Sequence, residues 1–158
     1  MKVFLSHKNE DSEIETRIAH RLRTVHQVDC YLDVFDPHAS KSGDDLGDYL
    51  RRVLQECTEL MAVVSQTTKE SWWVPWEIGV AQEKERPITT FAGGQCILPT
   101  YLKKWPYLKT VTELDIYIRV AKETRRVVER ERYSKTAATL QASYTRNFHQ
   151  NLKRALGQ

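Results

Sequence analysis

The sequence predicts an α/β fold, in which helices cover both faces of a central parallel sheet of about five strands and a helical extension follows. Three observations predict it. Short apolar runs alternate with segments of helical periodicity through the first hundred residues. One run, Leu60-Met61-Ala62-Val63-Val64, is continuously apolar, the pattern of a central strand buried on both faces. The length of 158 residues suits one compact unit that buries a core without disulfides or a structural metal.

Each element has its own signal. Residues 2–5 form a short run, apolar from Val3, that turns polar at Ser6-His7-Lys8, a first strand. Ile14, Ile18, Ala19, Leu22 and Val25 place a helix over 11–25. Val28, Cys30, Leu32 and Val34 alternate as a second strand over 28–34. Pro37, Ser40, Ser42 and Gly43 mark a loop. Leu46, Leu50, Val53 and Leu54 make an amphipathic helix over 46–57, with Asp44 and Asp45 at its start. The third strand covers 59–65, the third helix 71–85 and the fourth strand 87–91. Residues 96–98 and 108–111 are candidate edge strands. A long basic helix over 112–132 and a helix over 137–156 complete the chain. The last carries Leu140, Tyr144, Phe148, Leu152 and Leu156 at every fourth position, a stripe that serves either the domain's own sheet or a second copy. Strands alternating with helices imply right-handed crossovers and a parallel sheet, and the expected arrangement is the five-stranded flavodoxin-like three-layer sandwich, whose strand order is 2-1-3-4-5. The main domain spans 1–132 and the extension 133–158.

Composition excludes several classes. Hydrophobic residues are 41% and charged residues 28%, far from disorder. No apolar run approaches the ~18 residues of a membrane span, and the first apolar stretch is too short for a signal-peptide core. The expected location is cytoplasmic. Cys30, Cys57 and Cys96 lack metal-ligand spacing and read as reduced, mostly buried thiols. The five histidines (His7, His20, His26, His38, His149) also lack such spacing, so no metal is expected. The net charge of +3 hides an asymmetry: residues 1–100 carry 11 Lys/Arg against 16 Asp/Glu, or −5, and residues 101–158 carry 13 against 5, or +8. The basic part has no recognised nucleic-acid motif or interleaved glycine, so nucleic acid is not expected as a partner.

In an open parallel sheet the site lies at the carboxyl ends of the strands, where strand order reverses. Here that point falls between strands one and three, which brings Ser6-His7 and Ser65 together. The segment after Ser65 leads into Ser71-Trp72-Trp73-Val74-Pro75-Trp76-Glu77. Trp73 and Glu77 are four apart and share a helix face, and Pro75 is tolerated only in a first turn. The blander alternative is a core aromatic beside a surface glutamate. Ser6 and His7 are candidates for substrate contact or for local loop hydrogen bonds. They do not form a nucleophile pair, since adjacent strand-end residues point apart.

Several segments together resemble a TIR (Toll/interleukin-1 receptor) domain of the prokaryotic NAD-consuming type. They are Val3-Phe4-Leu5-Ser6-His7 with Glu10-Asp11, Tyr31-Leu32-Asp33, Lys41-Ser42-Gly43-Asp44, Met61-Ala62-Val63-Val64-Ser65, and Ser71-Trp72. Trp73-Val74-Pro75-Trp76-Glu77 fits the WxxxE pattern of TIR NADases, and the resemblance covers about residues 2–92. It implies cleavage of the nicotinamide–ribose bond of NAD with Glu77 catalytic, and Trp73, Ser6, His7, Ser65 and Asp33 are then the candidates for substrate contact. Asp33 also has a plainer role as a loop-capping carboxylate. The resemblance further implies that Lys41, Ser42 and Gly43 form a loop for contacts with other TIR copies. NAD is then the substrate and no cofactor is needed. The product is ADP-ribose or a cyclic ADP-ribose isomer, a signal for a separate effector protein in bacterial anti-phage defence. A chain starting almost at its first strand suits a stand-alone protein of that kind. The competing expectations are a non-catalytic TIR adaptor and a nucleoside deoxyribosyltransferase-like enzyme.

Overall fold

A computed structural model of the chain describes residues 1–7, 12–32, 44–65, 73–93, 96–133 and 135–158. Five strands, β1 (Lys2–Ser6), β2 (Asp29–Tyr31), β3 (Glu59–Val64), β4 (Ile88–Ala92) and β5 (Tyr107–Leu108), form one sheet of order β2-β1-β3-β4-β5. Every pairing is parallel. The described helices are α1 (Ser12–Thr24), α2 (Asp44–Glu56), α3 (Trp73–Glu83), α4 (Glu113–Glu129) and α5 (Ala137–Ala155). This is the predicted α/β layout and strand order.

Side-chain alternation along β1 sorts the core into two layers. Val3 and Leu5 join Ile18 and Leu22 of α1, Leu114 and Ile118 of α4, and Phe148 and Leu152 of α5. Phe4 faces the other way, with Leu50 and Leu54 of α2 and Val74 and Ile78 of α3. All six residues of β3 are buried, as a central strand requires.

Two edge-strand expectations change. Residues 96–98 are not a strand. Pro99 follows them with no N–H to extend a ladder, Ile97 is 74% exposed, and Leu98 is buried in the same cluster as Leu102 of a 3-10 turn (Thr100–Lys104). At 108–111 the strand stops at Leu108. The Thr110 N–H donates instead to the Glu113 carboxylate (3.1 Å), which also accepts the Lys109 N–H at the start of α4.

Helix α5 packs against α4, and its Tyr144, Phe148 and Leu152 lie in the same cluster as Val3 and Leu5. A polar knot reinforces this. The Tyr117 and Tyr144 hydroxyls donate to the two carboxylate oxygens of buried Glu59 (2.5 and 2.7 Å). Arg125 approaches the same group at 3.6 Å and lies over the Tyr144 ring. Burial pushes the Glu59 carboxyl pKa up, while the tyrosines and Arg125 pull it down. Glu59 opens β3, so this knot sits at the opposite end of the sheet from Ser6. Among the described residues no helix is long and apolar enough to cross a membrane.

Candidate active site

The carboxyl ends of β1 and β3 lie side by side, with Ser6 opposite Ala62 in register. Alternation sends Ser6 toward α3 and His7 toward α1. The Ser6 hydroxyl donates to Oε2 of Glu77, and both side chains are buried. His7 Nε2 lies 3.1 Å from Glu15 Oε2 of α1, with both side chains fully shielded from water. The two polar side chains at the end of β1 therefore serve different helices on opposite faces.

The first turn of α3 explains how a carboxylate comes to lie inside. Pro75 is the third residue of α3, where its missing N–H costs no helical bond. The buried positions of α3 are Val74, Glu77, Ile78 and Ala81, one stripe of helical spacing with the glutamate inside it. A carboxyl group moved from water into such a stripe is costly unless hydrogen-bonded, and the Ser6 hydroxyl supplies such a bond. Glu77 opens the second turn, beyond the strongest reach of the helix dipole. Ser6 is thus the close partner that orients it.

Trp73 departs from the blander alternative. It is 43% exposed and meets Trp76 edge-to-face at 5.6 Å. Glu77, by contrast, is 3% exposed. The aromatic stands at the surface and the glutamate is buried, the reverse of a core tryptophan beside a solvated acid. Ser65, partly exposed, follows β3 at the same end of the sheet. Asp33, Lys41, Ser42 and Gly43 lie outside the described residues, as do Ser71 and Trp72.

The sequence reading missed Glu15 and Glu59. A signal existed for Glu15, which falls on the apolar stripe of α1 with Ile18, Ala19 and Leu22. Cys30 and Cys57 are buried, and burial pushes both thiols up to about 11, so neither supplies a thiolate at neutral pH. Among the described residues no group of three or more His, Cys, Asp or Glu is placed to hold a metal ion.

A family model described as TIR domain (TIR_2) matches residues 3–130. The chain belongs to the TIR domain family. Comparison with curated protein sequences finds no match. In this TIR domain the fold brings Ser6 and Glu77 into contact and leaves Trp73 accessible above the same helix turn. A TIR domain serves as an NAD-cleaving enzyme or as an adaptor, and the fold is common to both. Chemically, an oriented buried carboxyl group at this end of the sheet would, when ionised, place a negative charge in a low-dielectric setting.

Proposed function

We propose that this TIR domain cleaves the nicotinamide–ribose bond of NAD, with Glu77 as the catalytic anion. The observation that carries the reading is the buried Glu77 carboxylate, gripped by Ser6 at the reversal point of the sheet. Ordinary glycoside hydrolysis needs a second carboxyl to protonate the leaving group. Nicotinamide needs none, because the C1′–N bond breaks with its electron pair going to the pyridinium nitrogen and a neutral molecule departs. The remaining ribosyl oxocarbenium is stabilised by a fixed, pre-oriented anion. Trp73 provides an apolar wall for the ribose or nicotinamide and helps exclude water.

Water capture of the cation gives ADP-ribose, and capture by a hydroxyl of the same substrate gives a cyclic isomer. Exclusion of water favours the second. On this reading the product is an immune signal for a separate effector in bacterial anti-phage defence, made by an assembly of TIR copies.

One observation favours a second reading. Glu77 is 3% exposed and already bonded, as expected of a latch tying α3 to β1 in a non-catalytic adaptor. The experiment is incubation of purified protein with NAD, with nicotinamide and the ribosyl products identified by mass spectrometry. The Glu77→Gln variant keeps a carbonyl acceptor for Ser6 but loses the charge. The catalytic reading expects a wild-type melting temperature and a loss of nicotinamide release of ~10²-fold or more. Near wild-type turnover in Glu77→Gln would remove Glu77 from the chemistry. A wild-type protein that leaves NAD intact, alone and at high protein concentration, supports the latch. Cleavage of deoxynucleosides in place of NAD supports the deoxyribosyltransferase-like reading.

A further inference from the structure

Helix α5 docks on the turn between α3 and β4. The Glu85 carbonyl, at a residue with φ of 51°, accepts from Thr145 Oγ1 (2.6 Å) and Gln141 Nε2 (3.2 Å). The Ile88 N–H at the head of β4 donates to His149 Nε2 (3.0 Å). Beside these bonds a cavity of about 350 Å³ opens at the end of the sheet remote from Ser6 and Glu77.

Its charge is unbalanced. Arg86, Lys104 and Arg146 line it from the α3–β4 turn, the 3-10 turn and α5, against the one carboxylate of Glu85. Among the described residues, no carboxylate lies at ion-pair distance from any of the three cations. Arg86 donates through Nη2 to the Gln55 carbonyl (3.0 Å), while its buried Nε has no hydrogen-bond partner. Trp105, 6% exposed, forms an apolar wall. His149 adds to the picture. Burial above all, with Lys153 and Lys104 assisting, pushes its pKa down to about 4, so it lines the cavity as a neutral imidazole. Its Nε2 accepts from Ile88, so the ring proton resides on Nδ1 and is available as a donor.

Converging cations around a preformed concave site, with neutral donors and an apolar wall, suit a small ligand bearing phosphate. We propose that this cavity binds a small phosphorylated metabolite, through Arg86, Lys104 and Arg146. The site lies at the opposite sheet end from Glu77, and it does not depend on the enzymatic reading.

Isothermal titration calorimetry of the full chain with inorganic pyrophosphate and with ADP, at fixed ionic strength, tests the proposal. Arg146→Glu and Lys104→Glu are the informative variants, because both side chains are exposed and neither hydrogen-bonds within the fold through its charged group. Arg130→Glu, just after α4 and outside the cavity lining, is the charge-matched control for each single variant. The expected result is saturable one-site binding that each cavity variant weakens about tenfold or more, with melting temperature and the control's affinity unchanged. No saturable heat from either probe would overturn the proposal, as would equal weakening in the control. Binding of a single-stranded oligonucleotide without any response to pyrophosphate or ADP would overturn it too, since the surface would then be reading a polyanion.

Discussion

At the scale of single residues, three glutamates obey one rule. Glu15, Glu59 and Glu77 are each buried, and each meets a specific polar partner: His7, the Tyr117–Tyr144 pair and Ser6 respectively. Buried carboxylates persist only where such partners offset desolvation. For Trp73 the expectation follows from exposure. A tryptophan that is 43% exposed contributes little to packing, so Trp73→Ala should leave the melting temperature within a few degrees of wild type. Under the NADase reading it should still lower nicotinamide release substantially. Parallel thermal melts and turnover assays check this. A loss of activity that merely tracks a loss of stability would return Trp73 to a structural role.

At the scale of elements, α5 is decisive. Phe148 is fully buried and touches the Tyr117 and Tyr144 rings edge-to-face and stacked. Phe148→Ala should therefore cost about 3–5 kcal/mol, read by urea denaturation. Removal of 134–158 should leave the α4 face of the core open and give an unfolded or aggregating chain, although this segment reads in the sequence as an appendage. The contact of α5 with β4 also sets a pH dependence. His149 is held neutral down to about 4, against 6.5 for an unperturbed histidine. Between these values the unfolded chain binds a proton that the folded chain does not, so acidification favours unfolding. Stability from this group is fully present above about pH 6.5 and is lost as pH falls toward 4, at no more than about 1.4 kcal/mol per pH unit. His149→Gln retains an acceptor for the Ile88 N–H and should flatten that slope. Denaturation midpoints for both proteins at several pH values from 7 to 4.5 would show it, and parallel slopes would refute it.

At the scale of the whole molecule, the charge halves of −5 and +8 bear on assembly. Tyr144, Phe148 and Leu152 of α5 are spent on the protein's own core, so the apolar stripe is not the seam between copies. Electrostatic contact of the acidic part of one copy with the basic part of another is one route to assembly that the charge halves suggest. Such a head-to-tail contact is heterologous and propagates into filaments. If copies assemble in this way, light scattering at low salt should rise with protein concentration, and under the NADase reading NAD turnover per molecule should rise with it. They should fall as salt goes from 0.1 M to 1 M, where the screening length drops from ~10 Å to ~3 Å. A monomer whose specific activity is independent of concentration at low salt would exclude this route.

The sequence by itself determined the element order through β4, the continuous central strand β3, the start of α3 near Pro75 and the family resemblance. Each of these is written in local periodicity, turn chemistry or motif spacing, which a linear reading detects. It also placed Ser6, His7 and Glu77 at one end of the sheet, because the strands of a parallel sheet all end on the same side. Only the tertiary structure decided which of Trp73 and Glu77 faces inward. An i, i+4 spacing says that two residues are neighbours on a helix, and the rotation of that helix against the sheet is set by packing of Val74, Ile78 and Ala81. In the same way only packing assigned Glu59 to a knot with tyrosines 58 and 85 positions away, and α5 to the core. Contacts of that separation leave no trace in local pattern, since they exist only once the sheet has brought its layers together.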